Sequence, residues 1–220
     1  MTHLTQPDSA MPIDMVRQHS LTALVRDAIG RHIAAGALMP GDKLNEAEWA
    51  ARLQVSRGPV REAFRALEQA GLVRNEKHRG VFVRTVSAIE AGELDVVLVA
   101  LEETACRLLA ARIDAVLIST LHDRLAALRD ALGAGDPDRC AQASDAFRDA
   151  IVDAAGNGKL YDTWRRLTGE RRLSRRMVVA GDNALMRSYA AHRAVLNALA
   201  SRNADEAAVL IRARVNDGLW

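Results

Sequence analysis

The chain is predicted to be mostly α: an N-terminal winged helix-turn-helix with a small β-hairpin, then an antiparallel all-α bundle of about six helices. Three observations predict it. Residues 45–73 spell a short helix, a tight turn and a second helix studded with arginines. Two short runs of β-type residues follow, around a basic tip at His78-Arg79-Gly80. From Ser87 onward apolar residues recur at helical spacing, with capping residues between the runs. The expected boundaries are a flexible leader over 1–19, a winged helix-turn-helix domain over 20–86 and an all-helical domain over 87–220.

Residues 1–15 lack a basic stretch followed by an apolar one, so no secretory signal is expected there. Ser20 to Gly36 carries Leu21, Leu24, Val25, Ala28, Ile29 and Ile33, an amphipathic helix ended by Gly36. Met39 to Leu44 reads as a turn. Asn45 can cap the next helix, with Glu46 and Glu48 where the helix dipole favours negative charge. Gln54-Val55 makes the turn, with Val55 pointing between the helices. Ser56 is a suitable N-cap for the second helix, and Pro59 fits its first turn. In that helix Val60, Ala63, Phe64 and Leu67 form an apolar face. Arg57, Arg61 and Arg65, four apart, share an exposed stripe. Leu72 to Glu76 and Val81 to Thr85 are the wing strands.

A recognition helix needs this division of faces. One side packs on the domain; the other offers donors to phosphates and guanine edges, beginning at the helix N-terminus. From Arg52 to Arg84 there are eight Lys/Arg and three Asp/Glu, while the whole chain of 220 residues has a net charge of +2. The positive charge is therefore local, as an electrostatic footprint for DNA should be. His78 at the wing tip is either a DNA contact or an exposed turn residue; His32 and His122 are expected at the surface.

The composition is globular, with 49% hydrophobic, 26% charged and only 4% aromatic residues, so the core must be built from Ala, Leu and Val. No apolar run is long enough to cross a membrane. Cys106 and Cys140 lie within helical patterns and read as buried thiols of a reducing cytoplasm, the expected localisation. Gly156-Asn-Gly-Lys159 is too short for a P-loop, and no nucleophile, base and acid set has a recognisable context, so no enzyme is expected.

In the second half Ser87-Ala-Ile-Glu90 is a capping box. The helix after it runs to about Ala111, with Leu94, Val97, Leu98, Leu101, Ala105, Leu108 and Leu109 on its apolar side. Asp114 caps a second helix reaching Leu132. Asp136-Pro137 opens a third, to Ala155. Further helices start near Lys159, Asp182 and Asn203.

Two resemblances arise from these residues. The run PGDKLNEAEWAARLQVSRGPVREAFRALEQAGLV followed by RGVFV resembles the winged helix of GntR-type bacterial transcriptional regulators. It implies DNA contact through Ser56, Arg57, Gly58, Arg61 and the wing around Gly80, with Arg65 and Arg79 beside them. The family commonly has an arginine where this chain has Ala47. The second half resembles the all-helical, FCD-like effector domain of the FadR-type branch. The residues are Leu101-Glu102 with Ala110-Ala111, Phe147, Ala154-Ala155-Gly156-Asn157 with Leu160, and His192-Arg193-Ala194-Val195-Leu196.

Many members of that branch hold a divalent metal with one Asp and three His. At the matching positions this chain has Ser144, Arg148, His192 and Arg214. One imidazole cannot hold zinc, which wants three or four ligands, so the resemblance implies a metal-free member with no cofactor. Arg148, His192 and Arg214 project toward the bundle interior if the periodicity holds. An unpaired buried charge is expensive, so the arginines need a partner. It is either an internal acid, such as Asp145, Asp149 or Glu102, or an anionic effector gripped by a guanidinium. Arg171 and Arg175, on the apolar side of their helix, are further effector candidates; Arg165, Arg172 and Arg176 read as solvated. The arginine that the family often has three residues before Leu101-Glu102 is Leu98 here.

The expected function is a ligand-responsive, sequence-specific DNA-binding transcriptional regulator, a repressor. It would work as a homodimer on a palindromic duplex operator and bind a small organic or sugar acid. The alternatives are an acyl-CoA, neutral or metal-assisted effector, and a constitutive structural DNA-binding protein.

Overall fold

The computed structural model describes residues 13–175 and 182–216, with side chains within 21–174 and 185–214. The chain divides into two compact units between Thr85 and Val86.

The first unit contains α1 (Ile13–Ala35), β1 (Lys43–Leu44), α2 (Glu46–Leu53), α3 (Arg57–Gln69), β2 (Val73–Glu76) and β3 (Gly80–Val83). Helix α1 starts within the stretch expected to be a flexible leader: residues 13–19 are helical, so the helix begins before Ser20. Nothing between 13 and 29 breaks a helix, since the first glycine is Gly30. Val25, Ile29 and Ile33 are buried at intervals of four and pack toward α3. Leu24, one step around the helix from Val25, is 62% exposed, which corrects its assignment to the apolar side. Gly36, at φ 78°, ends α1 in the left-handed conformation that glycine adopts without strain.

Asn45 caps α2, its Oδ1 accepting the Ala47 N–H at 2.9 Å. Gln54 closes α2 at φ 54°, ψ 43°, and the Val55 N–H returns to the Ala50 carbonyl at 3.0 Å. That hydrogen-bonded corner sets α3 against α2. The face of α3 bearing Val60, Ala63, Phe64 and Leu67 is buried. The sheet has the order β1-β3-β2, all antiparallel, with Lys43 opposite Phe82 and Val73 opposite Val83. Lys43-Leu44, expected within a turn, is therefore an edge strand; two residues are too few to show a period-two pattern.

The second unit holds α4 (Ala88–Arg112), α5 (Ala115–Gly133), α6 (Pro137–Ala154), α7 (Gly158–Arg175), α8 (Asp182–Ala200) and α9 (Ala204–Asn216). The caps act as their sequence suggests. Ser87 Oγ accepts the Glu90 N–H at 3.2 Å, Asp114 the Leu117 N–H at 2.8 Å and Asp136 the Arg139 N–H at 3.0 Å. Asn157 does the same for Leu160 at 3.1 Å.

Helix α4 is the hub, touching α6, α7, α8 and α9, while α5 packs on α6 and α8. Leu94, Leu98, Ala105 and Leu109 of α4 are buried, together with Phe147, Ile151, Trp164, Val195, Leu196 and Ile211 of its neighbours. Val97 and Leu108, expected on the same buried side, are 46% and 38% exposed. They belong to a second apolar stripe that also includes Ile89, Val96 and Ala100. Among the described residues, no helix is long and apolar enough to cross a membrane.

Candidate functional site

Two groups of arginines stand out, one in each unit. In the first unit Ser56 stands at the N-cap of α3 with extended backbone (φ −71°, ψ 163°), yet its side chain makes no cap bond. The hydroxyl expected to cap the helix is left exposed, at the end where backbone N–H groups favour phosphate. Arg57 and Gly58 occupy the exposed first turn, and a Cβ on Gly58 would meet nothing within 4 Å.

Arg61 is 56% exposed and held from one side by Glu46 of α2. Its Nε donates to the two carboxylate oxygens at 3.0 and 3.3 Å, and its Nη2 donates to Oε2 at 2.9 Å. The Arg61 guanidinium hydrogen bond holds the Glu46 carboxyl below its ordinary range, against the smaller opposing effect of burial. Arg65 donates to Glu62 at 2.8 Å.

On the wing, Arg79 pairs with Glu76 and lies 5.5 Å from the Phe82 ring centre, while Arg74 reaches the same Glu76 at 2.9 Å. Gly80 has φ +108°, and a Cβ there would come within 3.2 Å of Lys43 Cε. Between α3, β1 and the wing lies an open cavity of about 550 Å³, lined by Arg61, Arg65, His78, Arg79 and Lys43 among others.

The acids within this basic surface are thus not scattered. Each of Glu46, Glu62 and Glu76 ties down an arginine, and Glu68 accepts the Asn75 N–H at 2.9 Å, fixing β2 to α3. Sequence reasoning missed Lys43, because its strand is so short, and the tether role of Glu46, whose position suggested only a dipole effect. His32, expected at the surface, is half-buried. It stacks edge-on against Trp49, donates through Nδ1 to the Ala28 carbonyl at 2.8 Å and accepts from Arg52 through Nε2 at 2.8 Å. A carbonyl can only accept, which fixes that tautomer.

In the second unit Arg148 (α6), His192 (α8) and Arg214 (α9) are 2%, 0% and 1% exposed. The two arginines converge on Glu102 of α4, itself fully buried, and His192 joins them through Arg214. Arg148 Nε donates to Glu102 Oε2 at 3.1 Å and Arg214 Nη1 to Oε1 at 3.2 Å. The Arg148 guanidinium also lies 4.9 Å from the Trp164 ring centre. His192 Nδ1 is 2.6 Å from the Ser188 carbonyl and must donate to it. Its Nε2 then accepts from Ser144 Oγ at 3.0 Å and from Arg214 Nη2 at 3.4 Å.

Burial first, and the Arg214 cation second, hold the His192 imidazolium well below its ordinary range, so the ring is neutral. Of the three acids the sequence offered as internal partners, Glu102 takes both arginines. Asp145 and Asp149 bind Arg172 instead, at 2.8 and 3.0 Å, so Arg172 is not the purely solvated residue expected. Arg171 pairs with Asp95 of α4, its Nη2 donating at 3.1 Å, and also donates to Ser174 Oγ at 2.9 Å. The side chain of Arg175 lies outside the described residues, as does that of Arg176.

The lone pair of the single imidazole faces a guanidinium and a hydroxyl, a donor set that does not fit a divalent cation. Among the described residues no three His, Cys, Asp or Glu side chains converge in a way that could hold a metal. Cys106 and Cys140 are free and buried, and burial pushes the Cys106 thiol well up.

Comparison with known proteins fits both units. Residues 21–83 match the gntR family of bacterial regulatory proteins, and residues 93–217 match the FCD domain. A relative named "Probable D-xylose utilization operon transcriptional repressor", from Paenarthrobacter nicotinovorans, is 33% identical over 82% of this chain and 79% of its own length. The Escherichia coli K12 repressor RspR is 29% identical over 76% of this chain and 70% of its own length. Among solved structures, a GntR transcriptional regulator from Rhodococcus sp. RHA1 superposes with a TM-score of 0.77 at 26% identity, covering 93% of this chain and 96% of that one. Escherichia coli McbR/YncC shares the fold, with a TM-score of 0.79 at 21% identity over 90% and 95% of the two chains. The chain belongs to the GntR family of bacterial regulatory proteins, with an FCD domain: it is a DNA-binding transcriptional regulator and not an enzyme.

Proposed function

We propose that this regulator is a cytoplasmic, homodimeric repressor, released from a palindromic operator by a small organic or sugar acid bound without metal in the second unit. The observation that carries this reading is the set of basic and polar side chains buried together in the bundle. Arg148 and Arg214, both hydrogen-bonded to Glu102, lie in the interior with a neutral His192 that accepts from Ser144 and from Arg214. A guanidinium there would grip a carboxylate ligand, with Ser144 and His192 beside it. Two of the relatives are named as repressors, one of them for a D-xylose utilization operon, which supports repression and an acid of sugar origin.

The exposed stripe on α4, with Val96 66% and Ile89 79% exposed, supports pairing of two copies through this helix. Two recognition helices so paired would enter successive major grooves. DNA contact is assigned to Ser56, Arg57, Gly58, Arg61, Arg65, Arg79 and Gly80. Full-length, EDTA-treated protein bound to a labelled duplex that it has itself selected from a randomised pool should release that duplex when the right acid is added. A duplex that stays bound through a broad panel of acids, but is released by an acyl-CoA or after zinc is supplied, would replace the acid reading.

One observation favours a second reading. Glu102 already accepts from both arginines, so the cluster can also serve as a structural ion network in a constitutive DNA-binding protein. That reading predicts DNA binding indifferent to every added small molecule.

A further inference from the structure

We propose that Glu46 is a positioning residue for base reading: it fixes the Arg61 guanidinium so that its outer edge can face a guanine. This rests on the reading of α3 as the recognition helix. A guanidinium has a side edge, formed by Nε–H and one Nη2–H, and an outer edge, formed by Nη1–H and the other Nη2–H. Glu46 occupies the side edge through both Nε and Nη2. The donors of the outer edge lie away from Glu46 and form the parallel pair that matches O6 and N7 of guanine.

An arginine that is 56% exposed, with no tether, would have to order its long side chain on reaching the DNA. Here the ordering precedes binding. The tether comes from another helix, Glu46 being on α2 and Arg61 on α3, so the guanidinium is anchored to the frame of the turn. Arg65 differs: its partner Glu62 sits three residues away on the same helix. The carboxylate also acts against DNA in general, because it brings a negative charge toward the phosphates. Glu46 should therefore raise discrimination between sequences while lowering affinity for any one of them, two effects of opposite sign.

The test uses the full-length protein and two duplexes: one selected by the wild-type protein from a randomised pool, and a scrambled copy of it. Binding to both is measured for wild type, Glu46→Ala, Glu46→Gln, Arg61→Ala and the double variant Glu46→Ala/Arg61→Ala, with a melting curve for each. The inference expects Glu46→Ala to shrink the selected-to-scrambled affinity ratio about ten-fold. Scrambled binding should hold or rise, and Glu46→Gln, which keeps one acceptor, should fall between. Arg61→Ala should shrink the ratio by at least as much, so that adding Glu46→Ala changes it no further.

Equal strengthening on both duplexes would mean simple repulsion and would overturn the inference. Parallel weakening with a lowered melting temperature would overturn it in favour of a mere brace between helices. A double variant worse than Arg61→Ala would show that Glu46 reads a base itself, which also overturns it. Should Arg61→Ala leave the ratio intact, the recognition-helix reading falls and the inference with it. If Arg61→Ala shrinks the ratio and Glu46→Ala does not change it, the inference alone falls.

Discussion

The arginines of α3 and the arginines of the bundle are held by the same kind of partner under opposite conditions. On α3 and the wing, Arg61, Arg65 and Arg79 are tied to an acid yet stay exposed, by 56%, 66% and 71% of their side chains. In the bundle, Arg148 and Arg214 share Glu102 almost out of reach of water. An exposed ion pair is screened and worth little, so DNA can recruit the donors it leaves over. A buried pair cannot be opened cheaply, because a charge left behind has lost its water. The contrast teaches that an acid beside an arginine aims it at the surface and immobilises it in the interior.

Breaking the buried side should have the largest effect. Glu102→Ala removes the carboxylate that two buried guanidiniums share and should cost about 3–5 kcal/mol of unfolding free energy in urea. Replacing Glu102, Arg148 and Arg214 together by apolar residues of similar volume should cost far less, since no stranded charge remains. A triple variant as damaged as the single one would show that the charges themselves hold the bundle together.

On the exposed side, Arg57→Ala or Arg61→Ala should lower affinity for the selected duplex about ten-fold, by titration at fixed salt, with the melting curve almost unmoved. A large loss of stability in either would erase the contrast between the two regions.

A third prediction concerns proton binding by the cluster. Buried His192 stays neutral in the folded chain, whereas in the unfolded chain it takes up a proton below about pH 6.5. Below that pH the unfolded state binds more protons, so stability falls as pH falls, by up to about 1.4 kcal/mol per pH unit from this one group. Denaturation curves between pH 7 and pH 5 should show that component in wild type and lack it in His192→Gln.

A more local effect is expected from glycine. Gly156 has φ +70°, and a Cβ there would lie 1.7 Å from Nη1 of Arg112, the mobile end of a side chain that can move aside. Gly156→Ala should therefore cost mainly the backbone strain, about 1–2 kcal/mol, read from thermal unfolding. Gly80→Ala carries similar strain at the wing and should show itself in DNA binding as well, since the wing tip must keep its turn.

Much of this architecture was legible because it rests on local chemistry. Caps at Asn45, Ser87, Asp114 and Asp136 mark where helices begin, and the family resemblance singled out Arg148, His192 and Arg214, which helical spacing then placed on interior faces. What spacing cannot give is the partner across helices. Asp145, Asp149 and Glu102 were equivalent candidates until packing brought α4 against α6 and α9. Helix α4 misled for a related reason. It is apolar on two sides, and periodicity does not tell a buried stripe from an exposed one, so Val97 and Leu108 were assigned inward. Lys43 was lost because its strand is two residues long and exists only by pairing with β3. Ser56 took the cap position but not the cap bond, a distinction that residue type alone does not decide.

The most direct test of the central claim, that the buried arginine cluster senses an anion without metal, is thermal melting of EDTA-treated, full-length protein against small carboxylates and sugar acids. A matching acid at about 100 times its dissociation constant should add about 2.7 kcal/mol of stability, visible as a raised melting temperature, and the rise should vanish in Arg148→Met. A melting temperature unmoved by every acid, but raised by a divalent metal ion, would contradict it.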